Sequence, residues 1–143
     1  MILRNDQVED IVRRIDFIKI QLDDLKQFTS LDWDTYRKNR DVQRNVERLA
    51  ENVANAAIDV CKILLASENI EMPNSYKEVI LKLGQMNILK TEESEKIAGY
   101  ASLRNILAHQ YLDLRWDKIK KFIANAHKDF EIFTDKVNKK IFG

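Results

Sequence analysis

The sequence predicts an all-α protein, an antiparallel up-and-down bundle of about five helices in one domain over residues 1–143. Three observations carry this. Glycine occurs 3 times and proline once, so the punctuation that short strands and tight hairpins need is missing. Apolar residues recur every three or four positions over stretches too long for strands. The gaps between these stretches are short, which makes sequential helices antiparallel neighbours.

The first stripe is Val8, Ile11, Ile15, Ile18, Leu22 and Leu25, one face of a helix. Thr29-Ser30-Leu31-Asp32 interrupts it, and Asp32 is placed to cap the next helix by accepting from free N–H groups. The second stripe runs Val42, Val46, Leu49, Val53, Ala56 or Ala57, Val60 and Ile63 or Leu64. No Gly or Pro falls between Leu31 and Pro73, so this is expected to be the longest helix. At about thirty residues it would reach about 45 Å, beyond the width of a small domain, which hints at a second copy covering part of it.

Pro73 suits the first turn of a third helix with Tyr76, Val79, Ile80 and Leu83 on its apolar face, and Gly84 is expected to end it in the left-handed conformation. Thr91-Glu92-Glu93-Ser94 reads as a cap followed by acids at the positive end of the dipole. A fourth helix runs through Ile97, Ala101 and Leu107 towards His109. Trp116, Ile119, Ile123, Ala126, Phe130, Phe133 and Val137 make the fifth.

Hydrophobic residues at 45% and charged residues at 33% describe a folding globular chain. The single cysteine, Cys61, has no internal disulfide partner and sits in an apolar pattern, so it is expected to be a small core residue in a reducing cytoplasm. No stretch approaches the apolar length of a membrane span, and the first residues lack the apolar run of a signal peptide. A net charge of +1 offers no global field for nucleic acid, so polyanion binding would need a local patch.

Gly-rich phosphate loops, CxxC pairs, HExxH and GxSxG are absent, and two histidines with one cysteine make an all-protein zinc site hard to assemble. The predicted metal and cofactor requirement is none. Chemistry concentrates in Arg104-Asn105-Ile106-Leu107-Ala108-His109-Gln110-Tyr111. Asn105 and His109, four apart, share a helix face, whereas Arg104 and His109, five apart, lie about 140° from each other. A joint site needs the helix to end near His109, or two copies of the segment to meet across a dimer axis. Bland readings stay open: His109 as a helix C-terminal cation, Arg104 paired with a surface acid, Tyr111 as a core aromatic with its hydroxyl outside. His127, among Lys and Asp, reads as solvated.

The same octapeptide resembles the Arg-x4-His-x-Tyr motif of HepT-type toxins, the HEPN ribonucleases. Gln43-Arg44-Asn45-Val46-Glu47 with Ala57-Ile58-Asp59 resembles that family's long second helix, and Met72-Pro73-Asn74-Ser75-Tyr76-Lys77-Glu78 with Leu83-Gly84 its third. The resemblance implies a HEPN-like bundle and a metal-independent endoribonuclease toxin acting as a homodimer in a type VII-like toxin–antitoxin pair. It implies catalytic roles for Arg104 and His109, a supporting role for Asn105, and regulation at Tyr111. The implied partner is a minimal nucleotidyltransferase antitoxin of the MntA kind, which transfers AMP from ATP to Tyr111.

The chemistry of RNA is compatible with that pair. The 2′-OH attacks the adjacent phosphorus, a group that titrates near neutrality must move protons, and histidine does. A guanidinium fork can hold two phosphoryl oxygens as negative charge grows on them. Lys118, Lys120 and Lys121 are candidates for the local positive patch, with a solvated lysine face as the plain alternative. Asn52, Asn55 and Asp59 form a polar ridge that inter-helix hydrogen bonds explain as well as a site does; Asp59 matches the family pattern without an assigned role. The rival function is a non-catalytic helical module that binds nucleotide or docks the nucleotidyltransferase.

Overall fold

A computed structural model describes residues 3–109 and 111–143, with only the main chain of Arg104 and His109. Among the described residues seven α-helices run in order: α1 (Asn5–Leu25), α2 (Trp33–Lys38), α3 (Arg40–Ser67), α4 (Tyr76–Gln85), α5 (Thr91–Tyr100), α6 (Leu103–His109) and α7 (Leu112–Phe142). A 3-10 turn, Lys26–Phe28, extends α1, and there is no strand among the described residues.

The all-helical expectation holds, with two more helices than the stripes suggested. Asp32 does cap a helix, its side chain accepting from Thr35 N at 2.8 Å, but that helix is the six-residue α2. The long helix after it starts from its own cap, Asn39, which accepts from Val42 N at 3.1 Å. The longest helix is the last one: α7 has 31 residues against 28 in α3. The buried face of α3 runs from Val46 to Leu65, while its first residues, Arg40, Asp41, Arg44 and Asn45, are exposed.

Three helix boundaries differ from the sequence expectation. Pro73 lies outside α4, whose cap is Ser75, accepting from Glu78 N at 3.2 Å. Gly84 lies inside α4, and Asn87, with φ 61°, makes the left-handed turn. Ile88 N reaches Leu83 O at 3.1 Å and Asn87 N reaches Gly84 O at 3.2 Å, a Schellman closure built on asparagine. Asn69, with φ 54°, closes α3 the same way through Ile70 N to Leu65 O at 3.1 Å. Thr91 is the first residue of α5 rather than its cap: Lys90 occupies that position, and its N–H is met by Glu93 Oε1 at 2.8 Å.

What Gly84 does instead is admit α5. A Cβ at this position would sit 2.5 Å from Ser94 Oγ and 3.2 Å from Ser94 Cβ, so the α4–α5 hairpin closes over hydrogen. Antiparallel packing is visible elsewhere in the pairings. Arg14 meets Asp59 and Gln21 meets Asn52 between α1 and α3, while Tyr100 meets Asp129 and Glu93 meets Lys136 between α5 and α7. In each pair, going forward on one helix goes backward on the other.

One apolar cluster joins Ile11, Ile15 and Ile18 of α1, Val53, Val60 and Leu64 of α3, and Phe122, Phe130 and Phe133 of α7. Phe130 stacks edge-on against Phe133 and tilts against Tyr100, extending the cluster to α5. Cys61 is fully buried here, and burial pushes its thiol well above the ordinary cysteine value. No helix among the described residues is long and apolar enough to cross a membrane.

Candidate functional site

The expected fourth helix is two helices. α5 stops at Tyr100, Ala101 and Ser102 turn the chain, and α6 starts at Leu103 with Asn105 N and Ile106 N both 3.1 Å from Ser102 O. The Ser102 hydroxyl turns back to Gly99 O at 3.0 Å, which satisfies one of the last carbonyls of α5. Leu103 and Leu107 of α6 are buried, one turn apart, and hold this short helix against the body of the bundle. Asn105 and Ala108 are exposed.

The predicted pair Arg104 and His109 both belong to α6, and α6 ends at His109. Both residues therefore lie on one continuous helix, five apart and about 140° from each other around its axis. Their side chains, and all of Gln110, lie outside the described residues.

Tyr111 lies between α6 and α7. It is the residue before α7, in extended conformation with φ −65° and ψ 157°, and its carbonyl accepts from Arg115 N at 3.0 Å. It is 83% exposed, so the reading of Tyr111 as a core aromatic is excluded. Leu114, three residues further, is 49% exposed.

One turn into α7 stands a buried polar cluster that sequence reasoning missed. Glu47 of α3 is 8% exposed and takes both oxygens to Arg115: Oε1 at very short range and Oε2 at 2.7 Å from Nη2. Oε2 also accepts from the hydroxyl of Tyr36 at 2.8 Å. Burial, then the hydrogen bond from its own hydroxyl to Glu47 and that carboxylate's charge, pushes Tyr36 well above the ordinary tyrosine value. Burial opposes the charge on Arg115, but the hydrogen bond and charge of Glu47 outweigh it and hold the guanidinium above its usual range. Arg115 Nε is buried without a partner among the described residues. Trp116 and Trp33 cover the cluster, with ring centroids 5.0 Å and 6.3 Å from Tyr36. The first turn of α7, and with it Tyr111, is thus pinned to α3.

A signal for Glu47 was present. Ala50, Ala54, Ile58, Cys61 and Leu65 come after it at three- and four-residue steps, a second buried stripe in which Glu47 is the polar member.

The lysine candidates divide. Lys118 and Lys121 line a groove of ≈ 400 Å³ between α5 and α7, together with Lys96 and Lys128, whereas Lys120 points elsewhere on α7. Lys121 pairs with Asp117 at 3.2 Å. Tyr100 and Leu103 form part of the wall, the Tyr100 hydroxyl donating to Asp129 Oδ2 at 2.6 Å. On the polar ridge of α3, Asp59 faces Arg14 at 3.6 Å, Asn52 donates to Gln21 at 3.1 Å, and both line a cleft with Asn55. His127 is half-buried beside Lys19 and Asp23 of α1 rather than fully solvated. Among the described residues no three His, Cys, Asp or Glu side chains gather as a metal would require.

A helical bundle that carries Arg-x4-His-x-Tyr on a short helix ending ahead of an exposed tyrosine has the build of a HEPN-type ribonuclease. Residues 18–137 match the family described as Ribonuclease HepT-like. A tRNA nuclease HepT of Aphanizomenon flos-aquae is 29% identical over 128 residues, covering 90% of this chain and 87% of the relative. An mRNA nuclease HepT of Shewanella oneidensis is 24% identical over 125 residues, covering 87% of this chain and 93% of the relative. Among solved structures, the toxin of an MntA toxin–antitoxin complex superposes with a TM-score of 0.81 at 23% identity, covering 92% of this chain and 98% of that one. A tri-AMPylated Shewanella oneidensis HEPN toxin in complex with an MNT antitoxin gives 0.80 at 23% identity, covering 91% and 97%. The chain belongs to the ribonuclease HepT-like family, and it is an RNA-cleaving enzyme of the HepT toxin type.

Proposed function

We propose that this chain is a metal-independent endoribonuclease toxin of the cytoplasm, that it works as a homodimer, and that a minimal nucleotidyltransferase antitoxin silences it by attaching AMP to Tyr111. The observation that carries the regulatory half is the exposure of Tyr111, 83%, two residues beyond His109. A hydroxyl that accepts AMP must enter another enzyme's active site, and no other tyrosine here stands so far out: Tyr76 is 43% exposed, Tyr36 is fully buried, and the hydroxyl of Tyr100 is tied to Asp129. The tri-AMPylated state of a similar toxin in complex with its antitoxin supports AMP attachment as the means of silencing.

In the catalytic half, His109 takes the proton of the attacking 2′-OH or supplies one to the departing 5′-oxygen, and Arg104 neutralises the phosphoryl oxygens while the P–O(5′) bond breaks. The products are a 2′,3′-cyclic phosphate and a 5′-OH. Asn105, exposed on α6 and four residues from His109, supports the pair from the same helix face. In the dimer, the arginine of one copy and the histidine of the other face a single phosphate, which removes the 140° separation within one helix. Attached AMP brings phosphate charge beside His109, where it repels RNA and fills the cleft.

The test combines purified protein, the companion nucleotidyltransferase and ATP. Wild type gains AMP mass on the peptide that contains Tyr111 and loses RNA cleavage. Tyr111→Phe folds normally, retains activity and resists silencing. AMP found on another residue, or silencing without any AMP, overturns the role of Tyr111.

A further inference from the structure

The groove between α5 and α7 collects four ammonium groups, Lys96, Lys118, Lys121 and Lys128, around one carboxylate, Asp129. Asp129 is already engaged by the Tyr100 hydroxyl, and Lys121 shares its charge with Asp117. Lys96, Lys118 and Lys128 have no carboxylate partner among the described residues. Unpaired like charges held around one concavity repel each other, and a polyanion laid among them relieves that repulsion.

The arrangement is linear. Lys118, Lys121, Asn125 and Lys128 are spaced by steps of three, four and three on α7, so they form one row about 15 Å long. A row suits a chain of phosphates better than a single anion. Leu103, the residue before Arg104, lies in the groove wall, so the row borders the start of the motif helix.

We propose that the α5–α7 groove holds the RNA backbone beside the scissile phosphate, with Lys96, Lys118 and Lys128 as phosphate contacts and Asn125 as a neutral donor in the same row. The assignment rests on the RNA-cleaving reading and extends it to the phosphates that are not cut. These contacts are sequence-independent, so they set affinity and its salt dependence rather than base choice.

The experiment compares wild type with the triple variant Lys96→Gln/Lys118→Gln/Lys128→Gln. A control, Lys120→Gln/Lys139→Gln/Lys140→Gln, removes the same charge outside the groove. Binding of a non-cleavable 2′-O-methyl oligoribonucleotide is measured by fluorescence anisotropy over a salt series, and KM and kcat are measured on the cleavable RNA. Each single-strand phosphate contact contributes about 0.7 to the slope of log affinity against log salt, so the groove variant loses about 2 from the slope and the control loses little. KM rises more than kcat falls, and a Lys→Arg triple restores wild-type behaviour.

Equal slopes for groove variant and control overturn the proposal. So does intact RNA binding combined with loss of the nucleotidyltransferase complex, which would make the groove a protein-docking face. A wild type that binds with the predicted slope difference but never cleaves leaves the groove standing and removes the ribonuclease reading instead.

Discussion

Glu47→Ala tests whether the buried cluster at the start of α7 holds the site in place. The substitution deletes the carboxylate that meets Arg115 and the acceptor for the Tyr36 hydroxyl. Removing one partner of a buried ion pair costs about 3–5 kcal/mol, because the other charge is left without compensation. The Arg115 side chain keeps 24% exposure, so water recovers part of this and the lower end, about 3 kcal/mol, is expected. An unfolding entropy of about 2.1 cal/mol/K per residue converts that into a drop of about 10 °C in Tm. Urea denaturation monitored by circular dichroism supplies the free energy, and a calorimetric melt supplies the temperature. Replacing the pair by apolar groups, Glu47→Leu with Arg115→Met, should recover most of the loss. A Glu47→Ala variant within about 0.5 kcal/mol of wild type, the range of an ordinary surface change, would refute the clamp.

Gly84→Ala places a methyl group against Ser94, so despite the better helix propensity of alanine the variant should lose about 1 kcal/mol or more in urea titrations. An unchanged or higher midpoint would show that α4 and α5 separate freely. Tyr36 and Tyr100 have folded pKa values raised by burial and by Glu47 and Asp129, so the stability they contribute is complete below their unfolded value of about 10 and is lost as pH rises beyond it. Melting temperatures measured through that window should fall less steeply for Tyr36→Phe/Tyr100→Phe than for wild type; parallel curves would contradict the assignment.

The helical class, the stripes of α1, α3 and α7, and the motif were all legible in the sequence, because apolar spacing reports directly on a buried face. The α5–α6 break was not. The six-residue step from Ala101 to Leu107 departs from the three-and-four spacing, but no proline marks the break, and the turn is made by Ser102 bonding locally to Gly99. Both helix closures at Asn69 and Asn87 were hidden for a related reason: asparagine made the left-handed turns, and Gly84 drew attention away from Asn87. Glu47 and Arg115 are 68 residues apart, and charged residues separated by that distance read as solvated until the fold brings them together. The groove shows the same limit. Lys118 and Lys121 are neighbours in sequence, whereas Lys96 reaches them only because α5 packs on α7.

In the proposed reaction Arg104 and His109 cleave RNA through its own 2′-OH. Its most direct test is end-group analysis of labelled RNA, and of DNA with the same sequence, after incubation in excess chelator with wild type, Arg104→Ala and His109→Ala. Wild type should leave 2′,3′-cyclic phosphate and 5′-OH ends on RNA and leave the DNA intact. Each variant should keep its helical content and lose most of the activity, Arg104→Ala by about 2.7–4 kcal/mol of transition-state stabilisation, as for other preorganised charge donors. Cleavage of the DNA, 5′-phosphate ends, or near-normal activity in either variant would overturn the roles proposed for Arg104 and His109.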